Sequence, residues 1–312
     1  MRILGVVAVL LLAGCTVTPT VEPVETPSAS PTAETVAAPA QVFDGDCGAL
    51  GLDWDLSVDE QLDPVAALVP NVGGLRCSWT AADRAIIVVL LPETAVTLPV
   101  QLGCGEQFDG ASTSCAIDVV AGGIRLSGHV LGSDPAQLAA DRDEFLARFA
   151  AAVAQTTAPA QNTPDPTVWP AALDCAAITE AADLPTATGF DAQFEAESFA
   201  FGYGSDAYVA PAEQALRAGF TSCGTFGIGG DDDFGLQYVT LGGARWMETA
   251  VREAKGARVV DVDGLELVIT VPSPVYGETV NVFDGVNWLQ TDQLDDERLY
   301  PALAALVDAL NG

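Results

Sequence analysis

Ala116-Ile117-Asp118-Val119-Val120-Ala121-Gly122-Gly123-Ile124-Arg125-Leu126-Ser127-Gly128-His129-Val130 sets apolar residues at alternate positions on both sides of a glycine pair. That period predicts a β-hairpin turning at residues 121–123. Just beyond it, residues 137–153 place Leu138, Phe145, Leu146, Phe149 and Val153 on one side of a helix led by acidic residues, as the helix dipole favours. The same pair of elements returns near the other end of the chain. Asn281-Val282-Phe283, a turn at Asp284-Gly285 and residues 286–289 read as a second hairpin, and residues 296–310 carry Leu299, Leu303, Leu306 and Leu310 at helical spacing. Gly123 aligns with Gly285 and Asp134 with Asp296 at one offset, which marks a duplication.

The repeat extends backwards from each hairpin. Asp46-Cys47-Gly48-Ala49-Leu50, a helical stretch with Val65, Ala66, Leu68 and Val69, and Leu75-Arg76-Cys77-Ser78-Trp79 match Asp174-Cys175-Ala176-Ala177-Ile178, a second helical stretch, and Phe220-Thr221-Ser222-Cys223-Gly224. Each second cysteine is expected to lead into a strand, residues 85–91 in one unit and 236–241 in the other. The order of helix, strands, hairpin and helix lacks the regular βαβ alternation of a parallel sheet. The expected fold is therefore α+β: two tandem related domains, residues 43–156 and 171–312, each an antiparallel sheet packed by amphipathic helices. Residues 157–170, with four prolines, form the expected linker.

Cys47, Cys77, Cys104, Cys115, Cys175 and Cys223 lie in the two units, and spacing alone leaves fifteen pairings open. Zinc sites use tight C-x-x-C spacing or several histidines, and the chain has neither, so disulfides are the expected state. Duplication then selects Cys47 with Cys77 and Cys175 with Cys223 as equivalent bridges, leaving Cys104 with Cys115 private to the first unit. Chain-entropy arguments assign each roughly 3 to 4 kcal/mol.

The seventh cysteine, Cys15, follows one positive charge at Arg2 and an apolar run over residues 3–13. That run has the length of a signal-peptide core and falls short of a bilayer span. Leu12-Ala13-Gly14-Cys15 resembles the lipobox of bacterial lipoproteins, which implies a signal peptide over residues 1–14 and diacylglyceryl and fatty acyl lipid on Cys15. Two or more chains anchor firmly where one is marginal. Residues 15–42, rich in Thr, Pro, Val, Ala, Glu and Ser, read as a disordered tether.

Lipobox, tether, an early cysteine ahead of a helix and Cys77-Ser78-Trp79 together resemble small cell-envelope lipoprotein domains of uncharacterised function from actinobacteria. The resemblance fits the first unit best, since Gly224-Thr225 stands where the second tryptophan would. It implies an extracytoplasmic address, an α+β fold and no catalytic residues. Charge points the same way. With 43 acidic residues against 12 basic ones, a net −31 repels nucleic acid and anionic lipid surfaces, leaving the lipid as the expected membrane contact.

Candidate chemistry is sparse. His129 is the sole histidine and any Ser-His arrangement would need it, but no nucleophile-elbow motif accompanies it. Carboxylate pairs such as Asp53 with Asp55 and Asp141 with Asp143 are expected by chance in so acidic a chain. Asp231, Asp232 and Asp233 are the densest run and a weak metal candidate, lacking a complete calcium-loop pattern. Asp263-Gly264 reads as a hairpin turn. Phe199-Ala200-Phe201-Gly202-Tyr203-Gly204, followed by Tyr208, is an insertion whose Tyr203 and Tyr208 are candidate binding-surface residues. Taken together, these features predict a non-enzymatic binding or interaction module, anchored by lipid on the outer face of the cell membrane and meeting an envelope protein or polysaccharide, with no cofactor. The alternatives are the substrate-binding lipoprotein of an importer and a metal-assisted hydrolase.

Overall fold

Period-two apolar patterning drives most of the chain into two antiparallel sheets. The structure, a computed structural model, describes residues 36–57, 64–95, 104–106, 113–156, 167–191, 193–200, 210–218, 221–228, 234–273, 277–292 and 297–312. Its first half comprises β1 (Asp55–Ser57), α1 (Pro64–Asn71), β2 (Leu75–Ala81), β3 (Arg84–Pro92), β4 (Cys104–Glu106), β5 (Thr113–Ala121), β6 (Ile124–Gly132) and α2 (Pro135–Val153). The second comprises α3 (Cys175–Ala181), α4 (Leu184–Thr188), β7 (Gln193–Ala200), α5 (Pro211–Ala218), β8 (Thr221–Ile228), β9 (Phe234–Leu241), α6 (Glu248–Glu253), β10 (Arg258–Val260), β11 (Leu267–Ser273), β12 (Gly277–Asp284), β13 (Asn287–Asp292) and α7 (Leu299–Asn311).

The sheet orders are β1-β2-β3-β6-β5-β4 and β10-β11-β12-β13-β9-β8-β7. Without β10 the second order reads β7-β8-β9-β13-β12-β11, the same topology as the first. Both sheets are antiparallel throughout, and the fold is α+β. Three disulfides join Cys47 to Cys77, Cys104 to Cys115 and Cys175 to Cys223. The first and third are topologically equivalent, binding the segment ahead of each sheet to β2 and β8.

Details of the sequence reading shift. Both second cysteines lie within strands, β2 and β8, and β3 and β9 follow them. In the first hairpin Gly122 and Gly123 both have positive φ, 57° and 77°, as a type I′ turn requires. In the second, Asp284 pairs with Asn287 inside the ladder, so the turn is Gly285-Val286, with only Gly285 at positive φ. Gly285 thus matches Gly122, one residue away from the expected alignment. Asp134 caps α2, accepting from the Ala136 amide at 2.9 Å, whereas Asp296 lies outside the described residues. Asp263-Gly264 is not a tight hairpin turn: Val260 pairs with Val268, so a longer loop separates β10 from β11. Trp169, in the stretch expected to be linker, is buried in the second core, its amide donating to Asn287 Oδ1 at 2.9 Å. Val42 is likewise fully buried, in the first core, although the sequence places it at the end of the tether.

Each sheet packs one face on its own helices. In the first, α2 lays Leu138, Phe145, Phe149 and Val153 against Trp79, Ile86, Val88, Leu126 and Val130. Asp141 falls on this buried stripe and is satisfied by Arg84 Nη1, at 2.6 and 2.8 Å, and by Gln137. In the second, α7 contributes Leu299, Ala302, Leu303, Leu306 and Val307, the three-and-four spacing of a buried stripe.

The opposite faces of the two sheets share a middle layer. Helix α1 sits between them, with Val69 against Val89 and Leu91 of β3 and with Ala67 and Leu68 in a cluster with Leu241, Phe283 and Trp288 of the second sheet. Helix α5, its topological counterpart, packs Ala212 and Leu216 over β3 and contacts β6. Ser127 of β6 caps α5 from across the layer, its Oγ accepting from the Ala212 amide at 3.1 Å. At the end of α1, Asn71 donates to Gly242 O at 2.9 Å and accepts from Trp246 Nε1 at 3.0 Å. No helix among the described residues is long and apolar enough to cross a membrane.

The shared layer makes the two sheets one cooperative unit. Leu68→Ala is expected to cost about 2–5 kcal/mol and, in amide hydrogen exchange, to lower protection in β9 and β13 of the second sheet as well as in α1. Loss confined to the first half would show that the layer does not couple them.

Candidate functional site

Asp174 opens α3 by accepting from the Ala177 amide at 3.0 Å, and the Cys175–Cys223 bridge pins the helix over β7 and β8. Because Cys77 and Cys223 occupy equivalent strands, the residue two places on is Trp79 in the first sheet and Thr225 in the second. Trp79 is 2 % exposed and meets Phe145 edge-on, with ring centroids 5.6 Å apart. Thr225 fills far less space. Its partner across the ladder is Ala196 on β7, also small.

Under α3 and against β7 the molecule holds a cavity of about 380 Å³, lined in part by Thr179, Glu180, Asp183, Gln193, Phe194 and Ala196. Glu180, Asp183 and Gln193 are exposed, Phe194 and Ala196 half-buried, and Thr179 buried. The hydroxyls of Thr179 and Thr225 are buried with no hydrogen-bond partner among the described residues. Phe194 is held by edge-on contacts with Phe190 and Phe234, and the Arg298 guanidinium lies over both of those rings at 4.6 and 5.2 Å. Apolar walls with a few polar groups and this volume suit a ligand site.

The cavity adjoins a sheet edge of unusual length. Of the four terminal strands, β1, β4 and β10 have three residues each, short enough to protect an edge. Strand β7 has eight. Its solvent side alternates Glu195 and Glu197 with the cavity-side Phe194 and Ala196.

The residues singled out in the sequence are dispersed. Cys15, Tyr203, Tyr208, Asp231, Asp232 and Asp233 lie outside the described residues, although the aromatic insertion leaves from β7 and returns at Ala210, buried in the middle layer. His129 Nδ1 is 2.8 Å from Ser114 Oγ, across β5 and β6. Ser114 is buried, so this pair is a contact within the sheet face rather than an accessible nucleophile. Asp141 and Asp143 have separate partners, Arg84 and Arg142, and do not converge. Asp53 and Asp55 are exposed. Asp261 and Asp263 come together at a second cavity of about 440 Å³ with Val260, Val262, Tyr300 and Pro301. The Tyr300 hydroxyl there is held above the usual tyrosine range, first by burial and then by Glu278, with Arg258 opposing. No group of three or more metal-ligating side chains occurs among the described residues.

The groove itself was missed in the sequence, because its lining residues lie on α3, the start of α4 and β7 and meet only in the fold. Comparison of the chain with family models, with curated proteins and with solved structures yields no match.

A third unpaired hydroxyl, that of Tyr238, lies beside the bridge: Tyr238 is the ladder partner of Cys223 and is fully buried. Burial pushes its acidity far above the normal range, because a buried phenolate would lose its hydration. The folded state therefore keeps the proton that the unfolded chain gives up near pH 10, and stability falls as pH rises through that value. Tyr238→Phe is expected to raise stability at neutral pH by about 1 kcal/mol and to flatten the alkaline decline, both measured by denaturant titration. A loss of stability would reveal a partner for the hydroxyl.

Proposed function

We propose that this chain is a lipid-anchored, extracytoplasmic binding module of the cell envelope. The observation that carries the address is the distribution of its cysteines. Of seven, six are joined in three disulfides, which leaves Cys15, behind an apolar run and at the end of Leu12-Ala13-Gly14-Cys15, as the one cysteine over. Disulfides persist in oxidising compartments, and the lipobox-like tetrapeptide supplies the anchor. The resemblance to actinobacterial envelope lipoproteins agrees with this reading. Binding rather than catalysis is supported by the groove under α3, which pairs a ligand-sized cavity with a terminal strand edge, and by the burial of Ser114, the hydroxyl beside the half-buried His129. Receptors of importers are built from repeated βαβ units, and both sheets here are antiparallel.

The anchor is tested by Cys15→Ser in cells. The variant is expected to leave the membrane fraction and accumulate as folded, disulfide-bonded protein, and metabolic labelling with a fatty acid is expected to mark the parent chain only. Retention of Cys15→Ser at the membrane overturns the anchoring.

A further inference from the structure

We infer that β7 receives an extended, basic polypeptide segment of an envelope protein as an added strand, with one lysine or arginine side chain seated in the cavity under α3. The inference rests on the reading of the chain as a binding module and names the partner class for its groove. Three independent observations converge on it. First, β7 is the long terminal strand, and its outer row of backbone N–H and C=O groups offers about 25 Å of ladder with no strand paired to it among the described residues. Second, the cavity abuts that edge and is chemically matched to a long cationic side chain. Phe194 and Ala196 give the aliphatic stem an apolar wall, and Glu180 and Asp183 stand exposed at the rim where the charged head would emerge.

Third, the charge agrees on both faces of the strand. Side chains of an added strand alternate between the cavity side, facing Glu180 and Asp183, and the solvent side, facing Glu195 and Glu197, so cations are favoured on each. The chain's net charge of −31 would steer a basic segment towards it and repel an acidic one. A neutral polysaccharide would donate its hydroxyls to the carboxylates but would leave the backbone ladder unused.

The test uses the full lipidated chain in non-ionic micelles, after its membrane fractionation has been scored, so that anchoring and peptide binding are judged separately. The probe is a peptide of about ten residues that combines Thr and Val with lysines on both faces. It is expected to bind saturably, to lose binding when alternate backbone amides are N-methylated, and to lose it when glutamate replaces lysine. Glu180→Lys and Glu195→Lys are each expected to weaken binding about tenfold, and Ala196→Leu, which narrows the cavity, severalfold. Glu253→Lys, an exposed charge reversal on α6, should change it less than about twofold. Equal binding of the N-methylated peptide, equal weakening by Glu253→Lys, or absence of peptide binding by a chain that fractionates with membranes would each overturn the inference. So would capture of a neutral oligosaccharide in place of the peptide.

Discussion

Two helices set between two sheets are what the rest of this structure depends on. Helix α2 covers one face of the first sheet and α7 one face of the second; the remaining faces carry Val89 and Leu91 in one case and, only in part covered by Met247 and by Val251 of α6, Leu241, Ile269, Phe283 and Trp288 in the other. Exposed, those residues would form apolar patches of the kind that associate. Helices α1 and α5 cover both at once. They occupy the same place in the two halves, between the terminal strand and the next, so each half contributes one helix to the middle layer.

The layer is fixed by polar contacts as well as by packing. Glu213 on the first turn of α5 is almost wholly buried and lies 3.4 Å from Arg76 of β2 and 2.6 Å from Arg217. A buried carboxylate costs several kcal/mol in desolvation, which these two arginines and the amides of the helix N-terminus offset. The net gain in stability is small, because hydrophobic residues would pack as well. The cost of separating the partners is larger, since removing Arg76 takes away the cation beside Glu213 Oε2 and leaves Arg217 to hold Oε1. The same holds for the Ser127 cap and for Asn71, whose amide is used at both ends. Such contacts choose one arrangement of the two halves over other packings of equal apolar area.

Elements with strong periodicity were legible in the sequence: both hairpins, α2 and α7 fall where the spacing of Ile117, Leu126, Phe149 and Leu306 places them, and the duplication identified the three disulfides. The errors were local. Gly285 was set against Gly123 because both are glycines in turns, but a turn with one positive-φ residue and a turn with two put their glycines in different places. Helix α1 carried a signal that was read only as helix: Pro64-Val65-Ala66-Ala67-Leu68-Val69 is apolar all round, the mark of a helix buried on every side. The groove was not legible, because Thr179, Glu180 and Asp183 come beside Phe194 and Ala196 only once α3 is laid against β7.

The two halves share one strand order but differ where the groove lies. In the first copy Trp79 fills the core beneath α2, the terminal strand is reduced to three residues, and β4 is tied to β5 by Cys104–Cys115. Every feature there closes the structure. In the second half the equivalent bridge fastens α3 to β8, Thr225 stands where the first half has Trp79, and the terminal strand has eight residues. The disulfide holds α3 against β7 and β8, and the groove lies between that fastened helix and the long terminal strand.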